Sequence, residues 1–375
     1  MADENKDYFP SMVKVRIIMN ILRESMKLVF SFQPMKIVLV INFILTSYYL
    51  LYVYWRFYPN DWNKRKSMTL SVSQSHELEK LHKLYGDPAV SSEITIVTAY
   101  FNLGSFAKGR HQQYTPSKYK RWMSVFGRLQ NPLIVFTDSA DTVDTFKIIR
   151  EKFPINDTKI FLVKRESLWS FSIANQIKNI FNQPDYPEIF PNTVNENYSC
   201  VMHAKFELVN KVINENLIKT KFVSWLDIGL YRHFVEESHN FRIRLPQNFD
   251  ISKVAYSQVK EFDSSLKPME VVSGNLVWVG GAMFMGKYDT MYLYTQDYME
   301  SVKKLLSIKV MSTDQQVIYS MYLPSFKFRP RVELQMYTTH SGDDWFYLGY
   351  IVKDWWERHS IREPLSLLNF CFKLL

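Results

Sequence analysis

From residue 94 onward the apolar positions fall in short runs separated by segments long enough for a helix. Residues 94–100 are apolar and rich in β-branched side chains, and they read as a strand. A basic helix is expected over 118–129. A second strand follows over 133–138, behind the breaker Asn131-Pro132, then a helix over 143–153 and a strand over 160–163. Strands that alternate with helices imply βαβ units and a parallel sheet. Residues 198–212 place Val201, Phe206, Val209 and Val212 on one helical face. That helix leads into a short apolar strand (Phe222, Val223, Trp225) that closes on Asp227. After Val254-Ala255-Tyr256, residues 276–285 are apolar and interrupted by Gly280-Gly281. A helix over 289–306 precedes a turn at Thr313-Asp314-Gln315-Gln316. No internal repeat is visible, and no composition shift within 91–375 marks a second domain.

The pattern nearer the N-terminus is different. Residues 37–55 carry no charge and are bracketed by Lys36 and Arg56, about the length needed to span a bilayer. Tyr48, Tyr49, Tyr52, Tyr54 and Trp55 crowd the far end like an interfacial belt. The preceding segment is too long for the n-region of a cleavable signal peptide. The expected layout is therefore a tail (1–36), a single transmembrane anchor (37–55), a polar stem (56–90) with a helical patch around 77–85, and one globular domain (91–375). Sidedness stays open on charge. Three Lys+Arg (Arg23, Lys27, Lys36) face four (Arg56, Lys64, Arg65, Lys66) across the anchor. Two sequons, at Asn156 and Asn197, would be usable only in a lumen.

Composition narrows the class of protein. Hydrophobic residues make up 47% of the chain and aromatics 16%, enough for a large core. Only 11 glycines occur, which argues against long phosphate-cradling glycine loops. The net charge is +9, but residues 1–66 hold ten Lys+Arg against five Asp+Glu and supply more than half of it. Basic excess beside an apolar span suits anionic lipid. A nucleic-acid protein would carry a basic stripe across its folded domain, so no nucleic-acid partner is expected. The two cysteines, Cys200 and Cys371, form no CxxC, which excludes a zinc ribbon or thioredoxin-like site. One disulfide or two buried thiols would both accommodate them.

The short signatures of nucleotide hydrolysis, dinucleotide binding, serine esterases and zinc proteases are absent. What remains are carboxylates at strand and turn ends. An aspartate closing a buried strand, as Asp227 does, sits where open α/β sheets bind ligands. It suits a metal ligand or, more simply, the cap of a turn before Gly229. Gly280-Gly281 would let a substrate approach the backbone, or form a bulge. Asp314 is either a helix N-cap or a carboxylate that orients or deprotonates an acceptor. Arg110 and Lys205 are the basic candidates for a donor's phosphates. Lys118, Lys120 and Arg121 fit a solvated helix face better. His340 and Asp344, in the only segment joining His to carboxylates, form a late metal ligand pair or a surface loop. His203 and His233 read as packing or surface residues.

Several of these segments together resemble the WlaTC/HtrL (YibB-like) family, regarded by inference as glycosyltransferases. The resemblance rests on residues 95–101 followed by Tyr119, Trp122 and Met123, on residues 132–138, and on Trp225-Leu226-Asp227-Ile228-Gly229 with Arg232. Gly280-Gly281 and Thr313-Asp314-Gln315-Gln316 complete it, over about residues 93–350. It implies a GT-A-like nucleotide-diphospho-sugar transferase fold, a Rossmann-like mixed sheet flanked by helices, preceded by the transmembrane helix. A nucleotide-sugar donor would lie across the first half of the sheet, with Asp227 in the position of the DxD motif, Asp314 catalytic, and an unidentified glycan, lipid or protein acceptor. Such enzymes use a divalent cation, Mn or Mg. Here the motif is Asp227-Ile228-Gly229 without a second carboxylate, so Asp227 would need His340 and Asp344 to complete a metal site. Anchor, stem and C-terminal domain resemble a type II Golgi enzyme, a single-pass protein of Golgi or ER membranes with a lumenal domain. The competing expectation is a catalytically inactive, membrane-anchored binding protein on the same fold.

Overall fold

The structure, a computed structural model, describes Leu45 and residues 72–85, 91–109, 112–339 and 344–353. The tail, the rest of the expected anchor, most of the stem, Arg110, His340 and Cys371 lie outside the described residues. Among those described, no helix is long and apolar enough to cross a membrane.

The strands are β1 (Ser91–Tyr100), β2 (Phe106–Lys108), β3 (Gln112–Tyr114), β4 (Leu133–Thr137), β5 (Thr158–Leu162), β6 (Thr220–Leu226), β7 (Lys253–Gln258), β8 (Val279–Lys287) and β9 (Glu333–Tyr337). Seven of them form one sheet in the order β5-β4-β1-β6-β8-β7-β9, and β2 and β3 form a separate hairpin. β1 runs parallel to β4 and β6, β4 to β5, and β7 to β9. β8 runs antiparallel to both of its neighbours, so the sheet is mixed. An antiparallel neighbour needs no crossover helix on a sheet face, which is why alternation in the sequence could not reveal it.

Both faces of the sheet are covered. Ile94, Ile96, Leu133, Val135, Phe222 and Leu226 point into one core cluster. Val97, Ile134, Phe136, Val223 and Trp225, at the intervening positions, point into the other. Burial on both faces explains why these strands read as near-continuous apolar runs.

The helices are α1 (Val72–Tyr85), α2 (Pro116–Met123), α3 (Ala140–Arg150), α4 (Ala174–Phe181), α5 (Glu196–Asn214), α6 (Pro268–Ser273), α7 (Tyr288–Ser307), α8 (Asp314–Tyr322) and α9 (Tyr347–Val352). α1 lies in the segment expected to be stem, yet Leu81 and Tyr85 belong to the main core. The Tyr85 ring sits 4.9 Å from that of Tyr288 at the start of α7. Only one narrow stripe of α1 is apolar, so its polarity disguised its packing. α5 is the central helix. The Asn195 side chain caps it by accepting from Tyr198 N at 3.1 Å. Phe206 then stacks against Phe284 of β8, with ring centroids 5.0 Å apart. That packing fixes the rotation of α5 and thereby the direction of its neighbour Lys205.

Polar side chains tie the N-terminal ends of β1 and β4 together. Asn131, fully buried, donates to Ile94 O at 3.1 Å and Ile243 O at 3.0 Å, and accepts from Ile243 N at 2.7 Å. At the opposite ends the chain order changes direction. β4 and β5 lie on one side of β1, and β6 lies on the other. The crevice beyond the C-terminal ends of β1 and β6 is therefore a topological switch point, where open α/β sheets bind ligands. Thr98 Oγ1 donates to Leu226 O at 2.6 Å and pins the two strands together beneath it.

Candidate functional site

A cavity of about 430 Å³ opens at this crevice. Its floor includes Tyr100, Phe101, Asp227, Gly281 and Asp314, contributed by the ends of β1 and β6, the start of β8 and the first turn of α8. Its walls are aromatic. Tyr114 of the hairpin, Tyr119 and Trp122 of α2, and Tyr198 of α5 all line it. The Tyr119 and Trp122 rings meet edge-on at 5.0 Å, and Tyr114 meets Trp122 at 5.6 Å. Two cations reach the same space. Lys108 Nζ lies 5.3 Å from the Tyr114 ring centroid, and the Arg232 guanidinium lies 4.6 Å from that of Phe346.

The floor is built around a buried ammonium. Lys205, 2% exposed, donates from Nζ to Gly281 O at 2.9 Å and to Asp314 Oδ2 at 2.9 Å. It also lies 3.1 Å from Oδ1 and 3.3 Å from Oδ2 of Asp227. Trp225 Nε1 donates to Asp227 Oδ1 at 2.6 Å. The backbone of Asp227 is fixed too, since its N–H donates to Ala282 O at 2.8 Å. Asp314 is as buried as Lys205, whereas the Asp227 side chain remains 32% exposed. Asp227 is thus the acid that faces the cavity, and Asp314 lies behind it.

The electrostatics follow from one cation between two carboxylates. Burial works against the Lys205 ammonium, but Asp227 and then Asp314 more than offset it, and its pKa is raised. Burial raises the Asp314 carboxyl; Lys205 opposes this, and the like charge of Asp227 adds to it. One ammonium between two carboxylates carries a formal charge of −1, and the like charge of Asp227 weighs on the fully buried Asp314. His203, two residues back on α5, has no such partner among the described residues. Burial, followed by the Lys205 charge, lowers its pKa to about 3, so it is neutral and bonds Tyr298 OH at 2.7 Å through Nδ1. Cys200 is a buried free thiol pushed up to about 12 by burial, which removes it as a nucleophile.

The structure brings Asp227, Lys205, Gly281 and Asp314 together on one cavity wall. Gly281 is there because of Asp314: a Cβ at this position would lie 2.4 Å from Asp314 Oδ2. Gly280 lies one residue back, where a Cβ would meet Trp345 O at 2.6 Å, so it admits a backbone segment instead of a ligand. Asp344 is not on the wall, and its Oδ1 accepts from Thr339 N at 3.2 Å. Arg110 and His340 lie outside the described residues. Asp314 is the first residue of α8, with Thr313 in the N-cap position, and its carboxylate accepts from Lys205 Nζ and from the Gln315 backbone N–H. Sequence reasoning missed the aromatic wall and Lys108. Apart from Tyr119 and Trp122 in the family resemblance, the signal was the density of Tyr and Trp between residues 100 and 122, which reads equally well as core.

The described residues of the floor do not form a cage for a divalent ion. Such an ion wants about six oxygen ligands. The carboxylate oxygens of Asp227 already take Trp225 and Lys205, and Asp314 Oδ2 takes Lys205. Among the described residues no group of three or more His, Cys, Asp or Glu side chains converges.

Fold and site together define a mixed α/β protein with an acid-floored, aromatic-walled cavity at the switch point of a seven-stranded sheet. The chain belongs to the HtrL_YibB family, described as "Bacterial protein of unknown function (HtrL_YibB)", which matches residues 92–348. That span holds β1 to β9 apart from Ser91, together with every residue that lines the cavity. Protein HtrL of Escherichia coli (strain K12) is 26% identical over 258 residues, covering 62% of this chain and 85% of that protein. Among solved structures, the mannosyltransferase Ktr4p from S. cerevisiae aligns over 72% of this chain and 80% of its own, with 11% identity and a TM-score of 0.34. The 4-diphosphocytidyl-2C-methyl-D-erythritol synthase from Anaerococcus prevotii DSM 20548 aligns over 69% and 95%, with 9% identity and a TM-score of 0.26.

Proposed function

We propose that this protein is a glycosyltransferase of GT-A-like fold that uses a nucleotide-diphosphate sugar, anchored in a membrane through residues 37–55. One observation carries the reading. Asp227, a carboxylate held from behind by Lys205 and Trp225, faces an aromatic cavity at the switch point of the sheet. Aromatic faces such as Tyr119, Trp122 and Tyr198 suit a nucleobase or the apolar side of a sugar ring. Lys108 and Arg232 suit a diphosphate.

In this reading the bond between the anomeric carbon and the diphosphate breaks and a bond from that carbon to an acceptor hydroxyl forms. Asp227 is positioned to accept a hydrogen bond or the proton from a hydroxyl in the cavity. Asp314 acts through Lys205, keeping the ammonium in place and Asp227 correctly turned. A lumenal, Golgi-type location goes with the same proposal and rests on the layout of tail, anchor and domain. The second reading, a binding protein without turnover, draws on one feature: both acids on the floor are already engaged by Lys205.

The test is binding and hydrolysis of nucleotide sugars by the full-length protein. Thermal stability would be followed against uridine, guanosine and cytidine diphosphate sugars, with Asp227→Asn beside the wild type. A ligand at 100 times its Kd should add about 2.7 kcal/mol, a readable shift. A shift with slow donor hydrolysis, lost in Asp227→Asn, supports the transferase. A shift without hydrolysis supports the binding protein, and no shift with any nucleotide sugar sinks both.

A further inference from the structure

We propose that this site takes an anionic ligand without a divalent cation: Lys205 occupies the oxygen cage in which an ion would sit, and Lys108 and Arg232 supply the positive charge that faces the ligand. The first half stands on geometry; the identity of the anion as a nucleoside diphosphate rests on the transferase reading.

A backbone carbonyl and two carboxylates converge on one point, and the Lys205 ammonium is at that point. Its contacts to Gly281 O, Asp314 Oδ2 and Asp227 are 2.9, 2.9 and 3.1 Å. An ammonium has three N–H donors, and each finds an acceptor here. The cage is assembled with some care. Gly281 is required because any side chain there would collide with Asp314 Oδ2. Trp225 Nε1 holds Asp227 Oδ1 from the other side. Lys205 is 2% exposed, and moving its ammonium aside would break all three of its contacts.

Divalent cations bind anionic groups at 2.0 to about 2.6 Å through several oxygens, and a tight site needs charge to spare. The Asp227 carboxylate could offer an ion one remaining lone-pair direction beyond Trp225 and Lys205. The trio's own net charge of −1 would repel a diphosphate that relied on it. The positive charge must therefore come from elsewhere on the cavity wall. Lys108 and Arg232 are the basic residues that line it besides Lys205 among the described residues. Lys108 lies against the rings of Tyr114 and Tyr198. Arg232 donates to Gly229 O at 3.2 Å and stacks on Phe346. Lys108 also hydrogen-bonds Tyr198 and feels the charge of Asp227. Neither Lys108 nor Arg232 makes an ion pair with a carboxylate among the described residues, so their charge can face a ligand.

Two titrations on the full-length protein test this. In the first, Mn²⁺ alone is added and the heat of binding is measured. Wild type is expected to show no saturable site that depends on Asp227. Lys205→Ala, which vacates the cage, is expected to gain one, and Asp227→Asn in that background is expected to remove it. Saturable Mn²⁺ binding by wild type that Asp227→Asn abolishes overturns the proposal. So does a folded Lys205→Ala that gains no site. Should Lys205→Ala fail to fold, the wild-type titration decides by itself.

In the second, uridine, guanosine and cytidine diphosphate are titrated in EDTA and in Mn²⁺. The nucleotide that binds should do so within about twofold in the two conditions, and Lys108→Met or Arg232→Gln should weaken it about tenfold or more. A nucleotide that binds only with Mn²⁺ overturns the proposal. If no nucleotide binds in either condition, the transferase reading falls while the result of the first titration stands.

Discussion

Two buried cations hold opposite ends of the same sheet, and they do different work. Arg150, 3% exposed, sits near the N-terminal ends of β4 and β5. It donates to the carbonyls of Phe126, Leu129 and Asn131 and to Thr158 Oγ1. No carboxylate approaches it within ion-pair distance among the described residues, and burial lowers its pKa to about 10. Lys205 sits at the C-terminal ends between two acids, and its pKa is raised. A guanidinium spread over carbonyls satisfies backbone groups and keeps its positive charge buried without a carboxylate, which is a structural staple. An ammonium between two acids at the mouth of a cavity leaves one negative charge over and one acid half-exposed. The first arrangement serves the fold alone, and the second also presents a half-exposed acid to a cavity.

The largest effects should come from deleting either cation. Arg150→Met and Lys205→Met should each destabilise the fold by about 3–5 kcal/mol, because each strands buried polar partners. They should separate by pH. In the wild type the folded-state pKa of Asp314 is already raised from 3.8, so the native state holds that proton more tightly than the unfolded chain. Stability therefore falls as pH rises from the unfolded value through the raised one. Removing Lys205 raises the carboxyl further and extends that window upward. Urea midpoints for Lys205→Met should recover part of the loss between about pH 8 and about pH 5, while the loss in Arg150→Met stays flat. Equal pH dependence in the two variants would mean that the acids around Lys205 do not set its contribution to stability.

A smaller effect sharpens the same contrast. Gly281→Ala drives a methyl into Asp314 Oδ2 and should cost about 1–3 kcal/mol by overpacking. Nucleotide binding should fall with it, because Lys205 and Asp227 must shift. Gly229→Ala meets only the edge of the Trp122 ring at 3.2 Å, so it should cost less than Gly281→Ala in the same melts.

The smallest effect belongs to Trp225→Phe, which removes the indole N–H from Asp227 but keeps the packing. Asp227 is exposed enough to take water instead, so the stability cost should be only about 1 kcal/mol. Ligand affinity should fall more than stability does. A variant that loses stability but binds normally would make Trp225 a core residue and nothing else.

Much of the fold was legible because local burial rules write themselves into local pattern. Strands covered on both faces must be apolar throughout, so β1, β4 and β6 stood out. A helix buried along most of its length must be amphipathic or better, so α5 was visible as well. The HtrL/YibB resemblance, carried by Trp225 to Gly229, the glycine pair and Thr313 to Gln316, pointed to the family that the match over residues 92–348 establishes. Where the pattern was weak, local reading fell short. The single apolar stripe of α1 looked like stem, and the reversal of β8 left no trace because strand direction is a property of the partner, not of the strand.

The chain itself determined where the apolar runs end, that Asp227 closes one of them, and that a glycine pair interrupts a later one. Tertiary structure decided what those residues meet. Lys205 and Asp314 lie 109 positions apart, yet their side chains are 2.9 Å apart, and both depend on how α5 and α8 pack against β8. The roles assigned to carboxylates from sequence assume that their oxygens are free. Whether an oxygen is free depends on partners brought in by long-range folding, and here a lysine reaches the acids first.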